Sequence, residues 1–335
     1  MKPVIIQEPQ VEEEQIVEEE AIIVEEEAHE TLSIIFSSKN IGKYALEATN
    51  SITTYLLHKD NMFDLKVYDL EIQNKENLEN VISQIKNKEI KKVVAMITKE
   101  QLSTLNNIPD IGDIQFYFPL INKYDVQNIN ELNNLNYTFG AISYKKQFTE
   151  LIKYASSDNL VEFYGSSGIG RALHTYLADE KIKYAKKIDN NNGRYKFFLE
   201  NNSRLDNSVV LLNTPIIKSS ILLSAINAQE LTIMSILSTQ LNYTPLIFSL
   251  TQKRDRKKLI VANSIGNIPI ELEEYNTLIG NNLSFSWVNY STIIGVEYLL
   301  NNNIDIFKDL SLVENQVEYP VHLYKVGNNS FKLIK

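Results

Sequence analysis

The chain has 335 residues, 44% of them apolar, with no cysteine and a formal net charge of −9. That length favours two domains or lobes, and the missing cysteines exclude disulfides, thiolate metal sites and cysteine nucleophiles. No run approaches 18 uninterrupted apolar residues, so no membrane-spanning helix is expected, and the acidic balance argues against a general nucleic-acid binder.

The charge is unevenly spread. Residues 1–30 hold 11 Glu and one Lys, a net −10, whereas the rest of the chain holds 32 basic and 31 acidic residues, a net +1. Three Glu triplets split by short apolar pieces read as a solvated, largely disordered acidic tether. The sharper alternative is a short helix or partner-binding segment, because Val11, Ile16, Val17, Ile23 and Val24 fall near a seven-residue spacing. The leader lacks a basic start, an apolar centre and a small-residue cleavage site, so it is not a signal peptide. A chain opening on such a tether fits one whose export signal has been removed.

From Thr31 the texture changes to alternating strands and helices. Leu32–Phe36 reads as a buried strand, Tyr44–His58 as a helix, and Phe63–Leu70 as a strand. Leu78–Ile85 and Gln101–Leu105 read as helices around the strand Lys92–Ile97, and Ile114–Leu120 as a fourth strand. This βαβαβαβ order predicts a parallel sheet covered by helices on both faces.

The pattern then restarts. Tyr137–Ile142 is extended, Phe148–Ala155 helical, and Leu160–Tyr164 a strand whose turn Gly165–Gly170 opens the helix Arg171–Leu177. Tyr195–Leu199 and Ser208–Asn213 are expected as strands, Ile217–Gln229 as a helix, and Leu231–Leu237 and Pro245–Ser249 as strands. Leu283–Asn301 carries a long helical pattern, and Tyr319–Tyr324 with Ser330–Ile334 a terminal hairpin. The class is therefore α/β, with two Rossmann-like lobes of parallel sheet flanked by helices and a hinge cleft between them. Residues 1–30 form the tether, 31–140 plus 285–335 lobe one, and 141–284 lobe two.

Three stretches resemble the type 1 periplasmic binding fold of leucine-binding-protein-like solute receptors and of lipoprotein activators of penicillin-binding proteins. LSIIFSSKNIGKYALEATNSITTYL (32–56) is similar to the opening strand, Ser-bearing loop and long helix of lobe one. NLVEFYGSSGIGRALHTYL (159–177) is similar to the lobe-two opening, and ELTIMSILSTQLNYTPLIFSLTQKRDRKKLIVANSI (230–265) to the segment returning toward lobe one. Solute receptors of this kind usually carry a Gly-Pro-Leu-(Ser/Thr)-Gly type loop after the first strand. Here the loop runs Ser37-Ser38-Lys39-Asn40-Ile41-Gly42, which weakens a free amino acid as the cleft's ligand.

In open parallel sheets ligands bind beyond the carboxyl ends of the strands. Lobe one would present Ser37, Ser38, Thr98, Tyr117 and Phe118 there, and lobe two Gly165, Ser166, Ser167, Thr214, Ser238 and Thr239. Hydroxyls and helix-start N–H groups suit an anion; the competing reading is that they cap helices and end strands. The turn Gly165–Gly170 has glycines at its first, fourth and sixth positions and Arg171 after it, so it matches neither dinucleotide nor phosphate-loop motifs.

His29, His58, His174 and His322 show no metal-ligand spacing, so no metal and no cofactor are expected. Glu71, Asp69 and Glu162 lie near strand ends without an evident acid–base pairing, and no nucleophile motif appears, so the chain is not expected to be an enzyme. Lys253, Arg254, Arg256, Lys257 and Lys258 make a basic cluster: either a solvated loop or a docking patch for an acidic partner. Trp287, the only tryptophan, is expected in the hinge, the cleft or the core.

The resemblance thus implies a non-enzymatic protein of the periplasm or cell envelope that binds a small solute or peptide-like ligand and relays this to a protein partner. The alternative is a ligand-independent scaffold or activator for cell-wall synthesis or for envelope or motor assembly. A cytoplasmic sensor or nucleotide-using enzyme is the third reading.

Overall fold

A computed structural model describes residues 30–59, 62–72, 74–109, 111–126, 136–189, 195–229 and 231–334; the acidic leader lies outside the described residues, apart from Glu30. The first run of elements is β1 (Glu30–Phe36), α1 (Ser38–Ile41), α2 (Lys43–Lys59), β2 (Phe63–Asp69), α3 (Lys75–Asn87), β3 (Lys92–Met96), α4 (Lys99–Asn106), β4 (Gln115–Phe118) and β5 (Tyr137–Phe139). The second is α5 (Tyr144–Lys153), β6 (Leu160–Gly165), α6 (Gly168–Tyr176), β7 (Ile182–Ile188), α7 (Tyr195–Leu199), β8 (Ser208–Asn213), α8 (Ile216–Asn227), β9 (Ile233–Ser238), α9 (Leu246–Leu250) and β10 (Leu259–Asn263). The chain closes with α10 (Ile270–Leu278), α11 (Trp287–Asn301), β11 (Ser311–Val313), β12 (Gln316–Glu318), β13 (His322–Val326) and β14 (Phe331–Leu333).

Among the described residues these strands form two seven-stranded sheets, ordered β11-β12-β5-β4-β3-β1-β2 and β14-β13-β10-β9-β8-β6-β7. Pairing is parallel except at β11–β12, β10–β13 and β13–β14. Central strands such as β1 and β8 are apolar on both faces because helices cover both faces. Side chains alternate accordingly. Ile34 and Val94 pack toward α2 and α11, whereas Ile35, Val93 and Phe116 pack toward α3 and α4.

The chain crosses between the sheets three times: at 140–143, between β5 and α5; at 264–269, between β10 and α10; and at 319–321, between β12 and β13. The crossings correct the boundary drawn from sequence. The C-terminal hairpin β13–β14 belongs to the second sheet rather than to lobe one, since β13 pairs with β10 from Ile260↔Lys325 to Asn263↔His322. Conversely, α10 packs on α2 and so belongs with lobe one, not with lobe two.

Two expected strands are helices. Tyr195 and Leu199 are buried four residues apart, which is the spacing of one helical face. Pro245 has φ of −58°, preset for a helix start, and it begins α9. β7 is not among the strands expected from the sequence. That strand carries lysines on its open face, as an edge strand does to discourage pairing with other chains.

Tyr117 lies where the crossings converge. Its ring is fully buried and fills the space left by two glycines, Gly140 in the first crossing and Gly295 on α11. Its hydroxyl lies 3.5 Å from Ser291 Oγ, which donates to Gly140 O at 2.8 Å. Tyr319, at the third crossing, donates its hydroxyl to the same carbonyl at 2.5 Å. Burial pushes the phenols of Tyr117 and Tyr319 well above the usual range, so both stay protonated as donors.

A methyl group at position 295 would collide with the Tyr117 ring. Gly295→Ala should therefore destabilise the fold by roughly 1–3 kcal/mol through overpacking. Gly168→Ala, where an added Cβ meets nothing, should be neutral or slightly stabilising. Urea unfolding distinguishes the two, and equal midpoints would contradict this packing account.

Candidate functional site

After β1 the chain must turn sharply before entering α2. Ser37 begins α1; its hydroxyl lies 3.2 Å from Asn40 Oδ1 and 3.1 Å from Glu71 O. Asp69 Oδ1, at the end of the neighbouring strand, accepts from the N–H of Ser38 (3.0 Å) and of Glu71 (2.8 Å). Partial burial works against the Asp69 carboxylate, but the bonds from Ser38 and Glu71, with Lys39 nearby, hold its carboxyl below the usual range. Gly42 then adopts φ of +53°, a conformation that disfavours other residues, and releases the chain into α2. This turn brings Asn40, Ile41 and the first turn of α2 to the edge of lobe one.

Lobe two faces it with the starts of α5 and α6, at Tyr144 and Ile169, and with Gln240–Thr244 after β9. The third wall is the segment 280–289 leading into α11. Glu273 holds that segment, accepting from Leu283 N at 3.2 Å and Ser284 Oγ at 2.9 Å. Asn281 ties it to α2 by donating to Glu47 O at 2.7 Å. Between these walls lies a cleft of about 740 Å³, at the carboxyl ends of strands from both sheets. That volume suits a small organic ligand.

Aromatic rings dominate the cleft. Tyr144 meets Trp287 edge-on, with ring centroids 6.4 Å apart. Tyr243 packs on Phe285 at 5.3 Å and on Phe331 at 4.4 Å, joining the third wall to the second sheet. Burial pushes the phenols of Tyr144 and Tyr243 well up, so they remain neutral hydroxyls. The charged side chains of the wall, Lys43 and Glu47, pair with each other at 3.2 Å one helical turn apart.

The lobes are also tied directly. Tyr176 on α6 donates its hydroxyl to Asp125 Oδ2 in lobe one, and Lys146 on α5 pairs with Glu318 on β12. Behind the cleft a chain of amides crosses the hinge. Gln147 donates to Ser264 Oγ at 2.8 Å and accepts from Gln240 N at 2.8 Å, while Gln240 Oε1 accepts from Ser264 N at 2.7 Å.

The residues proposed from sequence stand at the expected strand ends but are not among the side chains lining this cleft. Ser37 and Ser38 build the turn before α2. Thr98 caps α4 through a capping box with Gln101. Tyr117 fills the hinge, and Phe118 packs in the outer core against Tyr137 and Phe139. Gly165 lies against the start of α6, too close to Gly170 for a side chain at residue 170. Ser166 O accepts from Arg171 Nη1 at 2.5 Å, and Ser167 caps α6 by accepting from Gly170 N at 3.3 Å. Thr214 pairs with Ser219 at 2.8 Å, and Ser238 donates to Leu212 O at 2.7 Å. Thr239 is fully buried with its hydroxyl unpartnered.

The residues that do line the cleft, such as Asn40, Tyr44 and Tyr144, lie further along the chain, mostly at the helix starts and in the segment before α11. Of the lining residues, the sequence singles out Trp287 as a cleft candidate. Of the acids noted in the sequence, Glu162 is fully buried, accepting from Asn213 Nδ2 at 2.9 Å with His174 Nδ1 at 2.6 Å. His174 in turn stacks on Tyr164, with ring centroids 4.0 Å apart. No group of three or more potential metal ligands occurs among the described residues.

No family model matches the chain, and no curated protein does. Among solved structures, an ABC transporter substrate-binding protein from Sphaerobacter thermophilus matches with a TM-score of 0.68 at 9% identity, covering 91% of this chain and 96% of that one. The branched-chain amino acid transporter substrate-binding protein LivJ from Streptococcus pneumoniae, solved with isoleucine, matches with a TM-score of 0.61 at 8% identity over 92% and 99%. The C-domain of LpoA from Haemophilus influenzae, a regulator of PBP1A, matches with a TM-score of 0.60 at 10% identity over 91% and 100%. The chain has the type 1 periplasmic binding fold. Identities this low show the fold and carry no ligand or partner across with it. The type 1 frame does locate the 740 Å³ cleft as the interlobe cleft of the fold.

The basic cluster divides. Arg256 is buried, not a surface docking residue. Its guanidinium donates to Gly327 O at 3.0 Å and to Thr251 Oγ1 at 3.0 Å, and it lies over the Phe248 ring. The β13–β14 turn needs these donors to satisfy its carbonyls. Lys253, Arg254, Lys257 and Lys258 remain exposed, with Lys258 also donating to Ile233 O. Arg256→Ala should cost roughly 2–3 kcal/mol by leaving carbonyls unpaired. Lys253→Glu should stay within about 0.5 kcal/mol of the parent. Thermal unfolding of both variants checks this, and a parent-like Arg256→Ala would contradict it.

Proposed function

We propose that this protein is a non-enzymatic binding protein of the periplasm or cell envelope that holds a small solute or peptide-like ligand between its lobes and presents the closed form to a protein partner. One observation carries the reading. The chain arranges side chains of both sheets' carboxyl ends around a single cleft of ligand size, beside three hinge crossings. A ligand touching both lobes stabilises their closed arrangement, and a partner that recognises that arrangement reads occupancy. The resemblance in fold to solute-binding proteins agrees with this.

A second reading rests on a different observation. The ties Tyr176–Asp125 and Lys146–Glu318 join the lobes without any ligand. They favour a scaffold or activator that acts through its surface, with the exposed basic residues 253, 254, 257 and 258 as a docking patch for an acidic envelope partner. The fold of a penicillin-binding-protein regulator agrees with that alternative.

Thermal unfolding against a panel of amino acids, dicarboxylates, sugars and wall fragments separates the two. A ligand at 100 times its Kd adds about 2.7 kcal/mol to the folded state, which raises Tm by several degrees. The binding reading expects a concentration-dependent rise with at least one compound. No rise with any of them, together with a clear loss of stability after Tyr176→Phe, would leave the scaffold.

A further inference from the structure

A second pocket, of about 270 Å³, opens in lobe two at the amino ends of β9 and β10, away from the cleft. Its recessed floor is Leu223 and Ile226 from α8 with Ile233 and Ile236 from β9. Its rim is the loop leading into β10, which carries Arg254, Lys257 and Lys258. Asp255 is the one acid lining it among the described residues, and its carboxylate is turned inward. It is 6% exposed, accepts from Asn227 Nδ2 at 3.1 Å and from Gln252 N at 3.3 Å, and has Arg254 Nε at 3.7 Å. The mouth therefore sets cations around an apolar floor. That combination suits an apolar segment flanked by carboxylates.

The sequence itself contains such a segment. Ala21-Ile22-Ile23-Val24 stands between the triplets Glu18–Glu20 and Glu25–Glu27, in a leader of net charge −10. A pair of its aliphatic side chains fits the pocket, and the triplets on either side answer the rim cations. Reach decides which copy supplies it. β1 begins at Glu30, on the amino edge of the first sheet, whereas the pocket lies on the amino edge of the second. The carboxyl ends of both sheets face the cleft, so these two edges point away from each other. The seven residues of β1 and the six of β9 hold them roughly 40 Å apart before the width of the cleft is added. Ile22 stands eight residues before Glu30 and reaches at most about 28 Å from it when fully extended. The segment falls short of its own chain's pocket and can enter that of a second copy.

We propose that residues 21–24 of one copy seat in the α8–β9 pocket of another, with the flanking glutamates against Arg254, Lys257 and Lys258. The donor segment leaves one end of the molecule and the acceptor pocket lies at the other, so the contact is head-to-tail. Contacts of that kind build a ring or an open chain of copies rather than stopping at a pair. The cleft takes no part in the contact, so this goes beyond both readings of the function and holds under either. The rim cations are those the second reading offers to an envelope partner, and the leader of a second copy is the occupant that this chain supplies.

Sedimentation equilibrium of the full chain tests this with two double variants. One carries Ile22→Asp and Ile23→Asp in the leader; the other carries Arg254→Gln and Lys257→Glu on the rim. The parent's average mass should climb above that of the monomer as concentration rises. Its association should weaken roughly tenfold between about 0.05 M and about 0.5 M salt, because exposed charges are screened. Each double variant alone should stay monomeric at parent-like Tm. Mixed, the two should form a one-to-one pair and nothing larger, since one keeps a working pocket and the other a working segment. The leader variant lies outside both sheets and keeps the test decisive should the rim pair lower Tm. A parent that is monomeric at every concentration would overturn the inference. Association that survives the leader variant would overturn it too, by giving the contact to another surface. A mixture that stays monomeric while both variants keep the parent's Tm would also overturn it.

Discussion

The carbonyl of Gly140 is held by two hydroxyls at once, those of Ser291 and Tyr319, beside the fully buried ring of Tyr117. These residues come from the first crossing, from α11, from the third crossing and from β4, so one small polar knot gathers four parts of the chain. The second crossing joins through Tyr290, whose ring is 6.3 Å from Tyr319 and whose hydroxyl lies close to Gly266. Two sheets that share no strand pairing are kept in one relation by this knot. The cleft exists because of it: where the lobes meet is fixed at the hinge, and how far their strand ends stand apart follows from that.

The apolar core spans the same junction. Leu32, Val94 and Tyr117 of lobe one and Leu173, Leu211 and Leu237 of lobe two belong to one continuous buried cluster. Outer faces of the two sheets close separate cores, one under α3 and α4 and one under α8 and α9. Any movement of one lobe against the other would therefore shear the shared cluster and spare the outer two. The amide chain through Gln147, Ser264 and Gln240 lies along this shear zone and ends at the cleft wall. Gln240 is thus both a hinge residue and a wall residue, and on the proposed binding reading a ligand touching it would have a physical route to lobe geometry.

Much of the fold was legible in the sequence because buried parallel strands leave dense apolar runs. SIIF, KVVAM and SVVLL are unmistakable, and their spacing with amphipathic helices dictates two α/β lobes. Errors came where packing on one side overrides local pattern. Tyr195–Leu199 has the composition of a strand, yet only a helix puts both Tyr195 and Leu199 against the core. The C-terminal hairpin could not be assigned to a lobe from sequence, since β13 joins its sheet through antiparallel pairing with β10, some 60 residues earlier. The site was legible in region and not in residue. Strand-end hydroxyls are consumed in capping and internal bonds, as with Thr98, Ser167 and Ser238. The wall is set instead by the helical first turns, whose outward residues follow from the direction each helix takes. Arg256 shows the same limit, because a basic run gives no sign of which guanidinium turns inward to meet the carbonyls of a distant turn.

Occupancy of the cleft and the relation of the lobes are, on this account, one equilibrium. Its most direct measurement is the distance between spin labels at Lys39→Cys and Gly168→Cys, both exposed and on opposite sides of the cleft mouth, in a chain with no other cysteine. The distance distribution should shorten and narrow as a compound that raises Tm in the ligand panel is added. An unchanged distribution at full saturation would contradict the account.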